Sequence, residues 1–292
     1  MTLRRTEQPH DLAQGLDTLA PPAILSALVE GQLGALAALR PALPALQAGA
    51  EAMAAAIGNG GRLIYTAAGS SGLMGMADGL ELPGTFGLSP AQIVISLAGG
   101  ASSLQHMTGN TEDDVAEARA AASTVRAHDC VIAISASGAT PYPLAFLKAA
   151  PQATRIAIVN TPASPMLAQA EIGICLETPP EVISGSTRLG AATAQKAALN
   201  AMSSLMGVLL GHVHDGMMVN LVADNAKLED RAARIVARIS GCDLASAHHH
   251  LTAASGAVKL AVLLASGARD IENAAQILGA ARGHLRAALN SL

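Results

Sequence analysis

The sequence predicts an α/β fold: a doubly wound, five-stranded parallel sheet flanked by helices, followed by a small C-terminal helical module. Three observations carry that expectation. Five short apolar runs rich in Val or Ile are mostly continuous rather than alternating, as strands covered on both faces should be. Helix-compatible segments separate the first four runs, the pattern of parallel strands joined by crossovers. Beyond about residue 222 the strand-like runs stop and only helical spacing remains.

Taken in order, apolar residues from Pro22 to Ile57 recur at helical spacing, with a break at "RPALPAL", where prolines should end one helix and begin another. The five strand candidates are "RLIYTAA" (62–68), "QIVISLA" (92–98), "CVIAISA" (130–136), "RIAIVNT" (155–161) and "IGICLET" (172–178). A long helix is expected from roughly 187 to 213. Turns at 241–243, 255–257 and 266–268 then divide the remainder into three or four short helices. This organisation gives residues 1–222 as N-terminal helices plus the sheet domain, and 223–292 as the helical module. No repeat in the solenoid range is present.

Composition narrows the partners. Of 292 residues, 51% are hydrophobic and 14% charged, which fits a globular protein with a large core. A net charge of -4 offers no general attraction to nucleic acid or anionic membranes. With no Trp, two Phe and two Tyr there is no base-stacking surface. The stretch "AALNAMSSLMGVLLG" is too short to span a bilayer and reads as a buried helix. The start, "MTLRRTEQPHDLAQ", lacks the apolar core of a signal peptide. Cys130, Cys175 and Cys242 neither pair by spacing nor form a metal motif. A cytoplasmic protein with buried free thiols is the resulting expectation. The "AHHHL" stretch (247–251) is no metal site, because successive helical residues point about 100° apart.

Ligands of open parallel sheets bind beyond the C-terminal strand ends, where backbone N–H groups and helix starts converge. Two such ends carry the same chemistry here. The first strand runs into "GSSG" (69–72) and the third into "SASGATP" (135–141). Ser70, Ser71, Gly72, Ser135, Ser137, Gly138 and Thr140 offer hydroxyls and close backbone approach, a cradle for a phosphate monoester. "AAGSSG" has too few glycines for a dinucleotide fingerprint, so NAD is not expected. A third block, "EVISGSTRLGAATAQKAALN" (181–200), places Glu181, Ser184, Ser186, Thr187 and Arg188 just before a helix that carries Gln195 and Lys196.

The order of the blocks "GRLIYTAAGSSG", "GLELPGTFG", "ISASGATPY", "GSTRLGAATAQKAALN" and "NAKLEDRA" resembles the N-acetylmuramic acid 6-phosphate etherase family. The resemblance runs from about residue 50 to the end. It implies a sugar isomerase (SIS) domain, generally a homodimer, that binds a small-molecule sugar phosphate without cofactor or metal. The implied reaction cleaves the D-lactyl ether of N-acetylmuramic acid 6-phosphate to N-acetylglucosamine 6-phosphate and D-lactate, by elimination and then hydration. It implies Glu81, in "LELPGT", as the acid that protonates the departing ether oxygen and Glu112, in "NTEDD", as the base at C2. Two carboxyl groups with separated pKa values suit that division of labour. Ser186, Arg188 and Lys227 join the implied phosphate contacts, and His106 in the "QH" block is placed near the pocket. The chain departs from the family pattern at Leu73, Ala101, Gly109, Ala139 and Gly190, where charged residues are usual. A second reading follows from those losses: a catalytically reduced sugar-phosphate-binding or regulatory protein on the same fold.

Overall fold

All five apolar runs form strands in the computed structural model, which describes residues 5–100, 103, 109–223 and 225–292. They are β1 (Leu63–Ala67), β2 (Ile93–Leu97), β3 (Cys130–Ser135), β4 (Thr154–Val159) and β5 (Ile172–Cys175). They pair in parallel in the order β2-β1-β3-β4-β5, so the expected sheet is the one found. Successive residues point to opposite faces, and both faces are covered. On one, Ile64, Val131, Ala133, Ala157 and Val159 pack with Ala118 and Ala122 of α5 (Val115–Ala122) and with Tyr142, Ala145 and Phe146 of α6 (Pro141–Ala149). On the other, α3 (Gly69–Gly79) lies against Tyr65 and Ile134, and α2 (Leu39–Gly58) approaches Ile174. That two-sided cover is why the runs are continuously apolar. Each fully buried Leu, Ile or Val side chain contributes about 1.5–3 kcal/mol.

The helix pair before the sheet differs in detail from the expectation. α1 (Pro21–Ala37) and α2 meet at Ala38 with a bend of 50°, three residues ahead of Pro41. Pro41 falls in the first turn of α2, where its missing N–H has no intrahelical acceptor to lose. Pro44 sits inside α2 rather than ending a helix. Among the described residues no single helix is long and apolar enough to cross a membrane.

The chain divides into two compact units, residues up to Leu80 with Ala91–Ser203, and Glu81–Pro90 with Ser204–Leu292. The division falls within α7 (Gly190–Leu209) rather than at 222/223, and the short α4 (Leu82–Phe86) goes with the second unit. There, the Phe86 ring fills the space beside Gly207, and the Asn220 amide donates to the Phe86 carbonyl at 2.8 Å. A two-stranded hairpin, β6 (Val213–His214) with β7 (Met217–Met218), precedes the helices. Five helices follow among the described residues, one more than expected: α8 (Ala226–Ser240), α9 (Leu244–Ala253), α10 (Val258–Ala265), α11 (Ile271–Ala280) and α12 (Leu285–Leu289). The extra break comes at Arg282 and Gly283, both with positive φ. Asn225, Asp243 and Asp270 cap α8, α9 and α11 by accepting backbone N–H bonds of 2.7–3.1 Å. Val219, Leu221, Val236, Leu251, Val262 and Leu285 are among the core of this unit.

Candidate functional site

The strand order reverses direction between β1 and β3, and in open parallel sheets that switch point is where the crevice opens. Both Gly/Ser loops leave the sheet there. Ala67 pairs with Ile134, so the segments 69–72 and 135–141 depart side by side from the same end. Ser70 and Ser71 lie in the first turn of α3, whose leading N–H groups have no intrahelical acceptor. Ser71 and Gly72 are buried and Ser70 is half-buried.

The loop after β3 is organised from beneath. Ser135 is 2% exposed. Its hydroxyl oxygen accepts the Gly138 N–H at 3.1 Å and lies 2.8 Å from the Thr140 hydroxyl. Ser137 accepts the Ala139 N–H at 3.2 Å. Gly138 has φ +63° and a Cβ there would stand 2.2 Å from the Ser164 hydroxyl, so only glycine fits. Ser135 therefore shapes the loop, while Ser137 and Thr140 line a cavity of about 350 Å³.

Glu112 and Asp113 line that same cavity. They lie on a single 3₁₀ turn, Gly109–Asp113, which leads through the capping Asp114 into α5; Asp114 accepts the Glu117 N–H at 2.8 Å. The Glu117 carboxylate in turn accepts the Gly99 N–H at 3.0 Å, tying this turn to the end of β2. A Cβ at Gly99, φ +75°, would meet the Thr111 methyl at 2.7 Å, so a glycine lets the turn bearing Glu112 come in close. Glu112 is exposed. Ala139 forms another wall of the cavity.

The third block supplies structure. Glu181 is 5% exposed, and its carboxylate accepts the N–H groups of Gly190 and Ala191 at 2.8 Å each. It caps α7 with a negative charge at the positive end of the helix. Ser186 is half-buried and Arg188 exposed in the segment that leads into α7. Lys196 donates to the Asn200 side-chain oxygen, and the Asn200 amide donates to Asp78 at 2.8 Å. At the end of β4, Gln195 donates to the Asn160 side-chain oxygen at 2.8 Å, both side chains being buried.

Two further site candidates lie in the second unit. Glu81 is exposed, immediately before α4, and its carbonyl accepts the Thr85 N–H at 3.0 Å. Lys227 is exposed on the first turn of α8. Ala101 and His106 lie outside the described residues. Sequence reasoning missed Asp78, which is 1% exposed and accepts bonds from Tyr65, Asn200 and Ser203. An acid ending the otherwise apolar stretch "GLMGMAD" (72–78) was its signal.

Over 290 residues the chain is 42% identical to the N-acetylmuramic acid 6-phosphate etherase of Deinococcus radiodurans, covering 98% of this chain and 95% of that one. This chain belongs to the N-acetylmuramic acid 6-phosphate etherase family. The etherases of Serratia proteamaculans and Streptomyces coelicolor are each 37% identical to it, over 97% of this chain and 97% and 98% of theirs. No protein-family model matches. Among solved structures, a phosphoheptose isomerase from Francisella tularensis superposes with a TM-score of 0.51 at 17% identity, covering 65% of this chain and all of that one. That likeness is one of fold, and it agrees with the five-stranded parallel sheet found here.

Proposed function

We propose that this etherase-family chain cleaves the D-lactyl ether of N-acetylmuramic acid 6-phosphate, giving N-acetylglucosamine 6-phosphate and D-lactate. The observation that carries the reading is the cavity that Glu112 lines together with Ser137 and Thr140. A phosphate cradle and a proton acceptor share one space at the switch point of the sheet. The loops 69–72 and 135–141, with Ser186, Arg188 and Lys227, are assigned to the sugar phosphate.

The chemistry follows from the carbonyl of the opened sugar, which acidifies the C2 proton. Glu112 takes that proton, the electron pair forms the C2–C3 double bond, and the C3–O bond to lactate breaks. Glu81 gives the departing oxygen its proton. Water then adds across the double bond, hydroxyl to C3 and proton to C2, and restores the saturated sugar. Proton transfer is the work of both carboxyl groups, and no electron carrier is consumed.

Assembly as a homodimer is part of the proposal. Leu25, Val29 and Leu33 recur every fourth residue on α1 at 64, 53 and 53% exposure, an apolar stripe that a second copy would cover. The first unit, up to Leu80 with Ala91–Ser203, is read as the sugar-phosphate domain, and the helices after residue 222 as the helical module. A cytoplasmic location, apart from nucleic acid and membrane, suits a phosphorylated substrate that cannot cross a bilayer unaided. Incubation with N-acetylmuramic acid 6-phosphate, with D-lactate followed by its dehydrogenase, tests the reading. A folded preparation that releases none overturns it.

A further inference from the structure

A second cavity, about 250 Å³, lies wholly within the second unit, far in sequence from the Ser/Thr cradle. Its wall holds Arg238 from the last turn of α8, Arg286 and Asn290 from α12 and the residue after it, and His214 and Asp215 from the hairpin. The Asp215-Gly216 turn, with φ of 47° and 74°, is the tight reversal that a two-residue hairpin demands. It presents the Asp215 carboxylate to Arg286, with which it forms an ion pair. Asp215 also lies 3.7 Å from the His214 imidazole. Burial, together with the charge of Arg286, holds His214 below its ordinary pKa, so it brings a hydrogen-bonding nitrogen rather than a charge at neutral pH.

Arg238 is the remaining charge. It is exposed and has no carboxylate partner among the described residues. Two guanidinium groups against one carboxylate leave the cavity one positive charge in excess. A planar guanidinium presents its N–H groups in the fork that matches two oxygens of one anion. Asn290 and His214 add neutral partners, and Ile239 closes one side with apolar surface.

From this we infer a binding site for a small oxyanion, a phosphate or carboxylate group, held by Arg238 and Arg286 in the second unit. The reaction proposed above handles both chemistries, since it takes a phosphate ester and releases a carboxylate. The site is separate in residues from those assigned to the substrate. Asp215 competes with the anion for Arg286, which sets the affinity low and gives the site a distinctive signature. Removing the carboxylate should tighten anion binding, whereas loss of an ordinary structural ion pair would tighten nothing.

The test is a titration of the ¹⁵N-labelled full chain at constant ionic strength, reading the arginine side-chain Nε–H resonances, with inorganic phosphate in one arm and D-lactate in the other. Arg238 and Arg286 are expected to shift together on one saturable curve, with a dissociation constant on the order of 1 mM. Arg238→Gln should weaken binding by ~10-fold or more, and Asp215→Asn should tighten it about three- to tenfold. Ser137→Ala should leave it unchanged, which separates this site from the substrate cradle. Saturation by phosphate alone, lactate alone or both identifies the anion within the proposal. A linear drift in both arms, or an Asp215→Asn protein that binds no more tightly, overturns it. The Asp215 variant decides the matter even where Arg238→Gln fails to fold.

Discussion

Tyr65 gives its hydroxyl proton to Asp78 across 2.8 Å, with neither side chain more than 1% exposed. The same carboxylate accepts from Asn200 and Ser203 at 2.8 Å each, so three donors from β1 and α7 converge on the end of α3. Burial, then the nearby Asp78 charge, raises the Tyr65 phenol well above its ordinary pKa, keeping it a donor at any working pH. Tyr65→Phe leaves one carboxylate oxygen unpaired and should cost about 1–3 kcal/mol. Asp78→Ala strands three donors, two of them buried, and should cost more, about 3 kcal/mol or above. Urea unfolding of the two variants gives the order; a Phe variant as stable as the parent would show that water reaches the carboxylate.

Gly138 and Ser137 stand next to each other but should fail in different ways. Alanine at 138 must adopt φ near +63° and push against Ser164. A loss of about 1–3 kcal/mol in stability is expected, with sugar-phosphate affinity lost as the loop deforms. Ser137→Ala removes the hydroxyl of a residue that lines the cavity and should keep its stability. Its affinity for N-acetylglucosamine 6-phosphate should fall by about 0.5–1.5 kcal/mol, and more if the hydroxyl meets the charged phosphate. Calorimetry beside thermal melting separates the two effects.

His212 sets a pH dependence. Burial, reinforced by the charges of Lys259 and His284, brings its pKa down to about 4. An unfolded chain takes up a proton near pH 6.5, which the folded chain refuses until about pH 4. The folded state is therefore fully favoured above pH 6.5 and loses stability as pH falls from 6.5 towards 4. Allowing for its partial exposure, the loss is on the order of 1–3 kcal/mol. Asp129 extends the decline further into acid. Burial pushes its carboxyl up, but hydrogen bonds from the Arg62 side chain and the backbone of Arg126 and Arg62 bring it below the ordinary value. Unfolding free energies at pH 7 and pH 5 should converge in His212→Asn and diverge in the parent.

The sheet was legible because burial on two faces leaves a plain mark, a continuous run of Val and Ile, and all five runs became strands. The hairpin at 213–218 was not read, since each strand is two residues long and its only signal is Asp215-Gly216 between Val213-His214 and Met217-Met218. The placement of the two Gly/Ser loops at equivalent strand ends was legible from the residues that follow β1 and β3. Their internal division was not, because Ser135 differs from Ser137 only in depth, which the fold decides. Glu181 shows the same limit: nothing local says that a carboxylate nine residues before Gly190 will cap α7. Asp78, too, takes its three partners from 13 to 125 residues away, beyond any short-range pattern.

Glu112 and Glu81 are separable by proton bookkeeping. If Glu112 is the base at C2, Glu112→Gln keeps the shape of the cavity wall but removes the acceptor, and turnover should fall ~10²–10⁴-fold with ligand affinity little changed. Glu81→Gln removes the proton needed by the leaving oxygen, so the lactate-forming step should slow by a similar factor. The two differ in solvent deuterium exchange at C2 of N-acetylglucosamine 6-phosphate, which needs the base but breaks no ether bond. Exchange should stop in Glu112→Gln and persist in Glu81→Gln. A parent pH–rate profile with two limbs should accompany this, since one carboxyl works charged and the other neutral. Glu112→Gln should lose the acidic limb, because the group whose deprotonation opens it is gone. Exchange that continues in Glu112→Gln would move the base to another residue, with Asp113, on the same cavity wall, the next to be replaced.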